Sequence, residues 1–410
     1  MLRLLVNHHT SSDVYPFMKP NPEFFYGEGL RIAVDAKRAL RNTTGLGNYS
    51  RCLIDSLASL PIANQLLLLS TPGADTRLVN SLLDSRTVSL ETGQGPGARL
   101  LHAYWRSYGI SSDIRRLRPD VYHGLSNELP LNIASAGVPS VVTVHDVIWR
   151  RFPSDYKAVD RRLYDLKYGR SARNATRVIA ISECTARDLA GDFGIPRDKI
   201  DVVYQDCDWS FTRASAEDIA RVRSAYGIGD NPYVVAVGTV QGRKNQLLAV
   251  KGLRALAADV RLVIVGRRTA YAREIDAYIA YHPELRDRVL WLEGVPFADL
   301  PALYSGAVFS SYTSRYEGFG IPLVESLRCR VPVIAATGSC LEEAGGPGAF
   351  YVDPDNEEQW TEYARQLLDD SELRDTMARE GYSHTGIFGG ENFACDTMDS
   401  YRRAIAEFNK

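Results

Sequence analysis

Along the chain, short runs of β-branched and aliphatic residues alternate with longer stretches in which apolar positions recur every three or four residues. The runs RIAVDA (31–36), QLLLLS (65–70), DVYHG (120–124), SVVTVHD (140–146), RVIAIS (177–182) and IDVVYQ (200–205) predict six strands in the first half. YVVAVGT (233–239), RLVIVG (261–266), VLWLEG (289–294), AVFSSY (307–312), VPVIAAT (331–337) and AFYVD (349–353) predict six more. Runs that stay apolar on successive positions belong to strands covered on both faces, and the helix-like stretches between them supply the cover. Over 48–60, Tyr49, Cys52, Leu53, Leu57 and Leu60 share one face; over 245–258, Leu247, Leu248, Val250, Leu253 and Leu256 do the same. The expectation is an α/β protein of two doubly wound, Rossmann-like domains facing each other across a cleft.

The seam falls in the polar stretch QDCDWSFTRAS (205–215). The predicted organisation is a first domain over 1–205, with 1–29 as a candidate extension, a linker over 206–215 and a second domain over 216–390. A last helix over 391–410, set off by Gly386, Gly389 and Gly390, is expected to fold back on the first domain. A length of 410 residues suits this division.

Charge and composition narrow the function. Lys and Arg number 48 against 50 Asp and Glu, a net charge of −2, so the basic excess of a dedicated nucleic-acid binder is missing. No apolar run reaches the ~18–20 residues that span a bilayer. The opening MLRLLVNHH carries no small-residue cleavage site and is read as no signal peptide. Six scattered cysteines without a C-x-x-C pair read as reduced thiols, which points to the cytoplasm rather than to a disulfide frame or zinc site.

Ligands of open α/β sheets bind beyond the C-terminal strand ends, so unusual residues there carry the chemistry. Four such places stand out. Thr43-Thr44-Gly45-Leu46-Gly47-Asn48 is a Gly-x-Gly loop opening a helix, where backbone amides favour an anion; alone it is also a common tight turn. His145-Asp146 ends the fourth strand, a position for a donor or base, whereas the other six histidines are read as structural. In Gly238-Thr239-Val240-Gln241-Gly242-Arg243-Lys244-Asn245, two cations sit at the mouth of a helix expected to start near Asn245. Cations at an N-terminus cost ~0.3–1 kcal/mol unless an anion joins them, which favours a phosphate site over two solvated charges. In Arg315-Tyr316-Glu317-Gly318-Phe319-Gly320-Ile321-Pro322-Leu323-Val324-Glu325, two carboxylates flank a glycine-rich turn, and a helix starting near Gly320 puts Glu325 in its second turn. Asp206-Cys207-Asp208 and Asp353-Pro354-Asp355 fit Asp-x-Asp, a pattern too short to assign a metal, and no metal or other cofactor is expected.

These residues resemble the retaining glycosyltransferases of family 4, which have the GT-B fold. The resemblance covers about residues 30–410, in RIAVDAKRALRNTTGLGNYSRCL, DVYHGLSNELPL, VPSVVTVHDVIWRRFP, ATRVIAISECTARDLA, VGTVQGRKN, SRYEGFGIPLVESL, VPVIAATGSCLEEAGG and YVDPDN, with Glu317 and Glu325 matching the E-x7-E motif. It is nearest to mannosyltransferase-like enzymes that build bacterial surface polysaccharides. The resemblance makes the first domain the acceptor side and the second the nucleotide-sugar side. It implies that Gly45 and Gly47 approach the donor diphosphate and that His145 touches the donor sugar. Arg243 and Lys244 would neutralise the diphosphate, Glu317 with the amides of Phe319, Gly320 and Ile321 would hold sugar and phosphate, and Glu325 the ribose. Three departures are visible: Thr239 where some members have arginine, Arg330 where many have glycine, and the added residues 1–29.

The implied reaction is metal-independent transfer of a hexose, mannose favoured, from a nucleotide-diphosphate sugar to a hydroxyl with retained configuration. The acceptor is a glycan or a lipid-linked sugar. From Trp149 to Arg177, nine Lys and Arg face three Asp, a net of +6, weighed equally as a solvated helix face or as a contact with the anionic inner face of the cytoplasmic membrane. A sugar-nucleotide epimerase and a non-catalytic GT-B scaffold are the rival readings.

Overall fold

The computed structural model describes residues 28–94 and 96–410. The opening MLRLLVNHH, and all of the stretch 1–29 except Glu28 and Gly29, lie outside the described residues.

Two wholly parallel sheets are present. The first contains β1 Arg31–Asp35, β2 Gln65–Ser70, β3 Val88–Thr92, β4 Val121–Gly124, β5 Ser140–Val144, β6 Arg177–Ala180 and β7 Ile200–Val202, in the order 3-2-1-4-5-6-7. The second contains β8 Tyr233–Val237, β9 Arg261–Val265, β10 Val289–Leu292, β11 Phe309–Tyr312, β12 Val333–Ala336 and β13 Ala349–Val352, in the order 10-9-8-11-12-13. Both orders reverse beside their first strand, β1 or β8, and such a switch point is where doubly wound sheets bind ligands. The central strands β4, β5, β6, β11 and β12 are buried along their whole length. All twelve strands read from the sequence are there. The thirteenth, β3 (VSLET), is an edge strand with only Val88 buried, and a run this polar gives no continuous apolar signal.

The chain crosses from the first sheet to the second over 203–215 and returns near Gly389, where the helix Gly390–Phe408 begins. The stretch between β7 and residue 215 is anchored at points: Cys207 and Phe211 are buried, and Asp206 pairs with Arg328 of the second domain at 2.6 Å, while Trp209 is exposed. Gly390 lies beside Asp206, whose Oδ2 would sit 3.7 Å from a Cβ built on it, so the two crossings pass close together.

The C-terminal helix lies on the first sheet. Tyr401 Oη meets His123 Nδ1 at 2.7 Å, Ser400 Oγ donates to Asp201 at 2.8 Å, and Glu407 receives Arg177 at 2.5 Å. His123, bonded through Nε2 to Thr143 at 2.8 Å and held uncharged by burial, is part of this seam.

Candidate active site

Loops at the C-terminal strand ends of the two sheets converge, and the loop after β11 carries most of the polar groups. It leads into the helix Ile321–Arg328, with Pro322 in the first turn and Glu325 in the second. Gly320 caps that helix at φ 111°, a conformation that strains any residue with a side chain. The loop carbonyls are engaged: Cys340 Sγ donates to Glu317 O at 3.2 Å and to Phe319 O at 2.9 Å, while Ser182 Oγ of the first domain donates to Gly318 O at 2.7 Å. The amides of Phe319, Gly320 and Ile321 have no acceptor among the described residues, as befits a helix start.

Glu317 is buried and accepts from Lys244 Nζ at 2.6 Å, Arg243 Nη1 at 2.8 Å and Ser314 Oγ at 2.6 Å. Burial alone would push its carboxyl up, but Lys244 and Arg243 beside it hold it down at about 2. The structure adds to the sequence reading of the two cations a partner within the chain. They lie in a 3₁₀ turn, Gly242–Lys244; Asn245 is left-handed at φ 54°, and the helix begins at Gln246 and runs only to Leu253. The anion that joins them is the chain's own Glu317. Lys244 also donates to Tyr312 Oη at 2.6 Å, and Arg243 donates to the carbonyl of Tyr316.

Glu325 is buried eight residues on, its Oε2 accepting from Tyr304 Oη at 3.1 Å. Burial pushes its carboxyl up to about 7, against the opposing pull of the Tyr304 hydrogen bond. The two carboxylates of the motif therefore differ in kind: one is ionised and saturated with cations, the other poised near neutrality.

From the first domain, His145 follows β5 directly and is buried. Its Nε2 lies 2.8 Å from Leu125 O, a pure acceptor, so Nε2 carries the proton. Burial draws the imidazole down to about 4, so it is neutral at pH 7. Its carbonyl faces the loop after β11 so closely that a Cβ on Gly318 would sit 2.0 Å from it. Only glycine fits there.

The Gly-x-Gly loop needs a correction. The helix predicted over 48–60 starts at Gly45 and ends at Ser59. Gly47 is inside it, with its amide bonded to Thr44 O at 2.9 Å and Asn42 Oδ1 at 3.2 Å; a Cβ there would sit 1.8 Å from Asn42 O. Gly47 serves helix packing. Gly45, by contrast, has nothing within 4 Å of the Cβ position and opens onto free space.

Arg330 is left-handed at φ 59°, with its guanidinium 4.5 Å over the ring of Tyr382. Thr239 contributes its carbonyl to Gln246 Nε2 at 3.2 Å. Of the Asp-x-Asp pairs, Asp206 is held by Arg328 and Asp355 by Arg315. Sequence reasoning passed over Arg38, whose charge acts on His145 and whose buried Nε has no partner. It also gave no role to Asp146, whose carboxyl is pushed up by burial close to Arg243, Glu317 and Lys244. Asp146 belongs to the strand end His145-Asp146 that the sequence marks, where only the histidine is given a role.

Residues 44–205 match the model of the glycosyl transferase 4-like domain, and residues 218–384 match that of the glycosyl transferases group 1. The chain belongs to this glycosyltransferase family. Its two facing Rossmann-like sheets are the GT-B arrangement. Among relatives, the glycosyltransferase is 26% identical over 319 residues to O-antigen chain mannosyltransferase B of Escherichia coli, covering 74% of this chain and 78% of that one. It is 27% identical over 238 residues to O-antigen chain mannosyltransferase RfbU of Salmonella typhimurium, covering 58% and 62%. In fold it is similar to Anabaena HepE, solved in complex with UDP and glucose, at a TM-score of 0.69 with 20% identity over 90% of this chain and 98% of that one. Sucrose-phosphate synthase from Thermosynechococcus elongatus gives a TM-score of 0.70 at 17% identity, covering 92% and 99%. No described helix is long and apolar enough to cross a membrane.

Proposed function

We propose that this glycosyltransferase moves a hexose, mannose favoured, from a nucleotide-diphosphate sugar to a hydroxyl of a glycan or lipid-linked acceptor in cell-surface polysaccharide synthesis, with retained configuration and without a divalent metal. The observation that carries the proposal is the cluster of Arg243, Lys244 and Glu317 beside the open amides of Phe319, Gly320 and Ile321. Breaking the donor bond sends negative charge onto the diphosphate, and fixed cations with helix-start amides stabilise it where it forms. One charge pair at 4 Å contributes ~4 kcal/mol at an effective dielectric near 20, so two cations can stand in for a divalent ion.

In this reading the diphosphate takes over part of the cations' attention from Glu317, which then accepts from sugar hydroxyls. Glu325, already dehydrated, accepts from the ribose, and Gly45 lets the backbone of the first domain approach the phosphates. His145 meets the sugar with a neutral imidazole, while its carbonyl lies near the anomeric carbon. No side chain is assigned as nucleophile; the departing phosphate takes the acceptor proton. The mannose preference draws on the two O-antigen mannosyltransferases.

A thermal-shift panel of GDP-, UDP-, dTDP- and ADP-sugars tests the donor: at a hundredfold excess over Kd the true one stabilises by ~2.7 kcal/mol. No response to any of them overturns the reading. Activity is expected to persist in excess EDTA and the product to keep the donor's anomeric configuration by NMR. Isomerised donor in the absence of acceptor would establish the epimerase instead.

A membrane contact belongs to the same proposal, in altered form. Arg150, Arg151 and Arg177 of the basic segment turn to carboxylates of their own domain. What faces solvent on the helix Ala158–Asn174 is a stripe of Val159, Leu163 and Leu166, exposed at 75%, 42% and 64%, edged by Arg162 and Arg170. Apolar side chains between cations suit an anionic bilayer surface. Co-sedimentation with liposomes that depends on anionic lipid is expected, and Leu166→Glu should abolish it.

A further inference from the structure

We infer that Glu343 is a positioning residue that clasps the two domains together and thereby presets the donor loop; the inference rests on the donor site proposed above. Glu343 belongs to the short helix Leu341–Gly345 of the second domain. Its carboxylate reaches the helix Glu183–Phe193 of the first, where Oε2 accepts from Glu183 N at 2.7 Å and Oε1 from Cys184 N at 2.8 Å. Those amides belong to a first helical turn, which has no carbonyl of its own to offer them and favours a negative charge. The cap is thus supplied from the other domain.

The capped turn in its turn grips the donor loop. Ser182, the N-cap of the same helix, accepts from Thr185 N at 3.0 Å and donates its hydroxyl to Gly318 O at 2.7 Å; Thr185 Oγ1 reaches the same carbonyl at 3.4 Å. From the opposite side Cys340, which precedes Glu343 by three residues, holds the carbonyls of Glu317 and Phe319. Three successive carbonyls are therefore tied down by a single assembly. The following amides are left for the diphosphate.

Glu343 is itself braced. Tyr204 Oη donates to its Oε2 at 3.3 Å, Arg187 approaches to 4.0 Å, and His384 Nε2 donates to its carbonyl at 3.0 Å. None of these groups belongs to the Arg243, Lys244 and Glu317 cluster. The clasp stabilises the closed arrangement without touching the substrate, so its loss lowers the population competent to bind.

Affinity falls by the fraction of molecules that are competent, so Glu343→Ala is expected to raise the donor KM about tenfold with kcat within about twofold of wild type. Glu343→Gln, which keeps one acceptor for the two amides, should fall between. Hydrogen exchange of the Glu183 and Cys184 amides, measured without donor, should accelerate in Glu343→Ala. A role in fold stability alone would lower the melting temperature and the active fraction and leave the KM where it was. An unchanged donor KM in a folded Glu343→Ala protein, or unaltered protection of the two amides, overturns the inference. The exchange measurement needs no substrate. If no nucleotide sugar binds the wild type, the donor reading falls while the exchange data still decide the clasp.

Discussion

Two helices, one from each domain, begin at Gly45 and at Ile321, the first with glycine as its first residue and the second capped by Gly320. The Ile321 start is half-buried, capped by a buried, left-handed Gly320, and preceded by carbonyls held through Cys340 and Ser182. Cations and a carboxylate are already in place beside it. The Gly45 start is exposed, and its turn is attended by Asn42, which accepts from the amides of Thr44 at 2.8 Å and Gly47 at 3.2 Å. The Ile321 start is held by side chains already in place, whereas the Gly45 start is open backbone.

The largest effect should come from breaking the organised side. Lys244→Ala removes one of the two charges on Glu317 and is expected to lower turnover by an order of magnitude or more while the protein stays folded by circular dichroism. Transfer at the wild-type rate would refute the cation argument.

The Gly45 start can be tested one glycine at a time. Gly47→Ala forces a Cβ to within 1.8 Å of Asn42 O and should lower stability by ~1–3 kcal/mol, seen as a fall in melting temperature. Gly45→Ala meets nothing within 4 Å and, being helical, should add ~0.5–1 kcal/mol while raising the donor KM. The reverse order of stabilities would mean that the two glycines have been assigned to the wrong tasks.

The smallest effect concerns Glu325. Its folded-state pKa of about 7 lies above the ordinary carboxylate range, so the fold favours the protonated form. That contribution is fully present below the unfolded value and is lost as pH rises through about 7. Glu325→Gln should therefore raise the melting temperature of the nucleotide-free protein at pH 8, with the gain shrinking towards pH 5. It should also weaken nucleotide binding. A constant difference across that range would show that Glu325 does not titrate as its burial dictates.

The legibility of these features in the sequence follows their physics. Strands covered on both faces announce themselves as unbroken apolar runs, and twelve could be read; β3, at an edge and half solvated, could not. Pro322 and the glycines around Phe319 gave the Ile321 helix its start to within a residue. The Gly45 helix was placed three residues late because its two opening glycines look like loop; only the packing against Asn42 shows them inside the helix. Arg243 and Lys244 were found by their misfit with the helix dipole, yet the partner that relieves it, Glu317, is more than seventy residues away in sequence and close only in space. Glu343 left no trace in local spacing, since the amides it caps belong to another domain.

The meeting of Asp206 with Gly390 has a consequence for motion. Two covalent tethers between the lobes pass each other at that point. A body held to another by adjacent cords swings about the line where they pass. Relative motion of the two lobes is therefore expected to pivot near Asp206 and to be widest at the rim farthest from it.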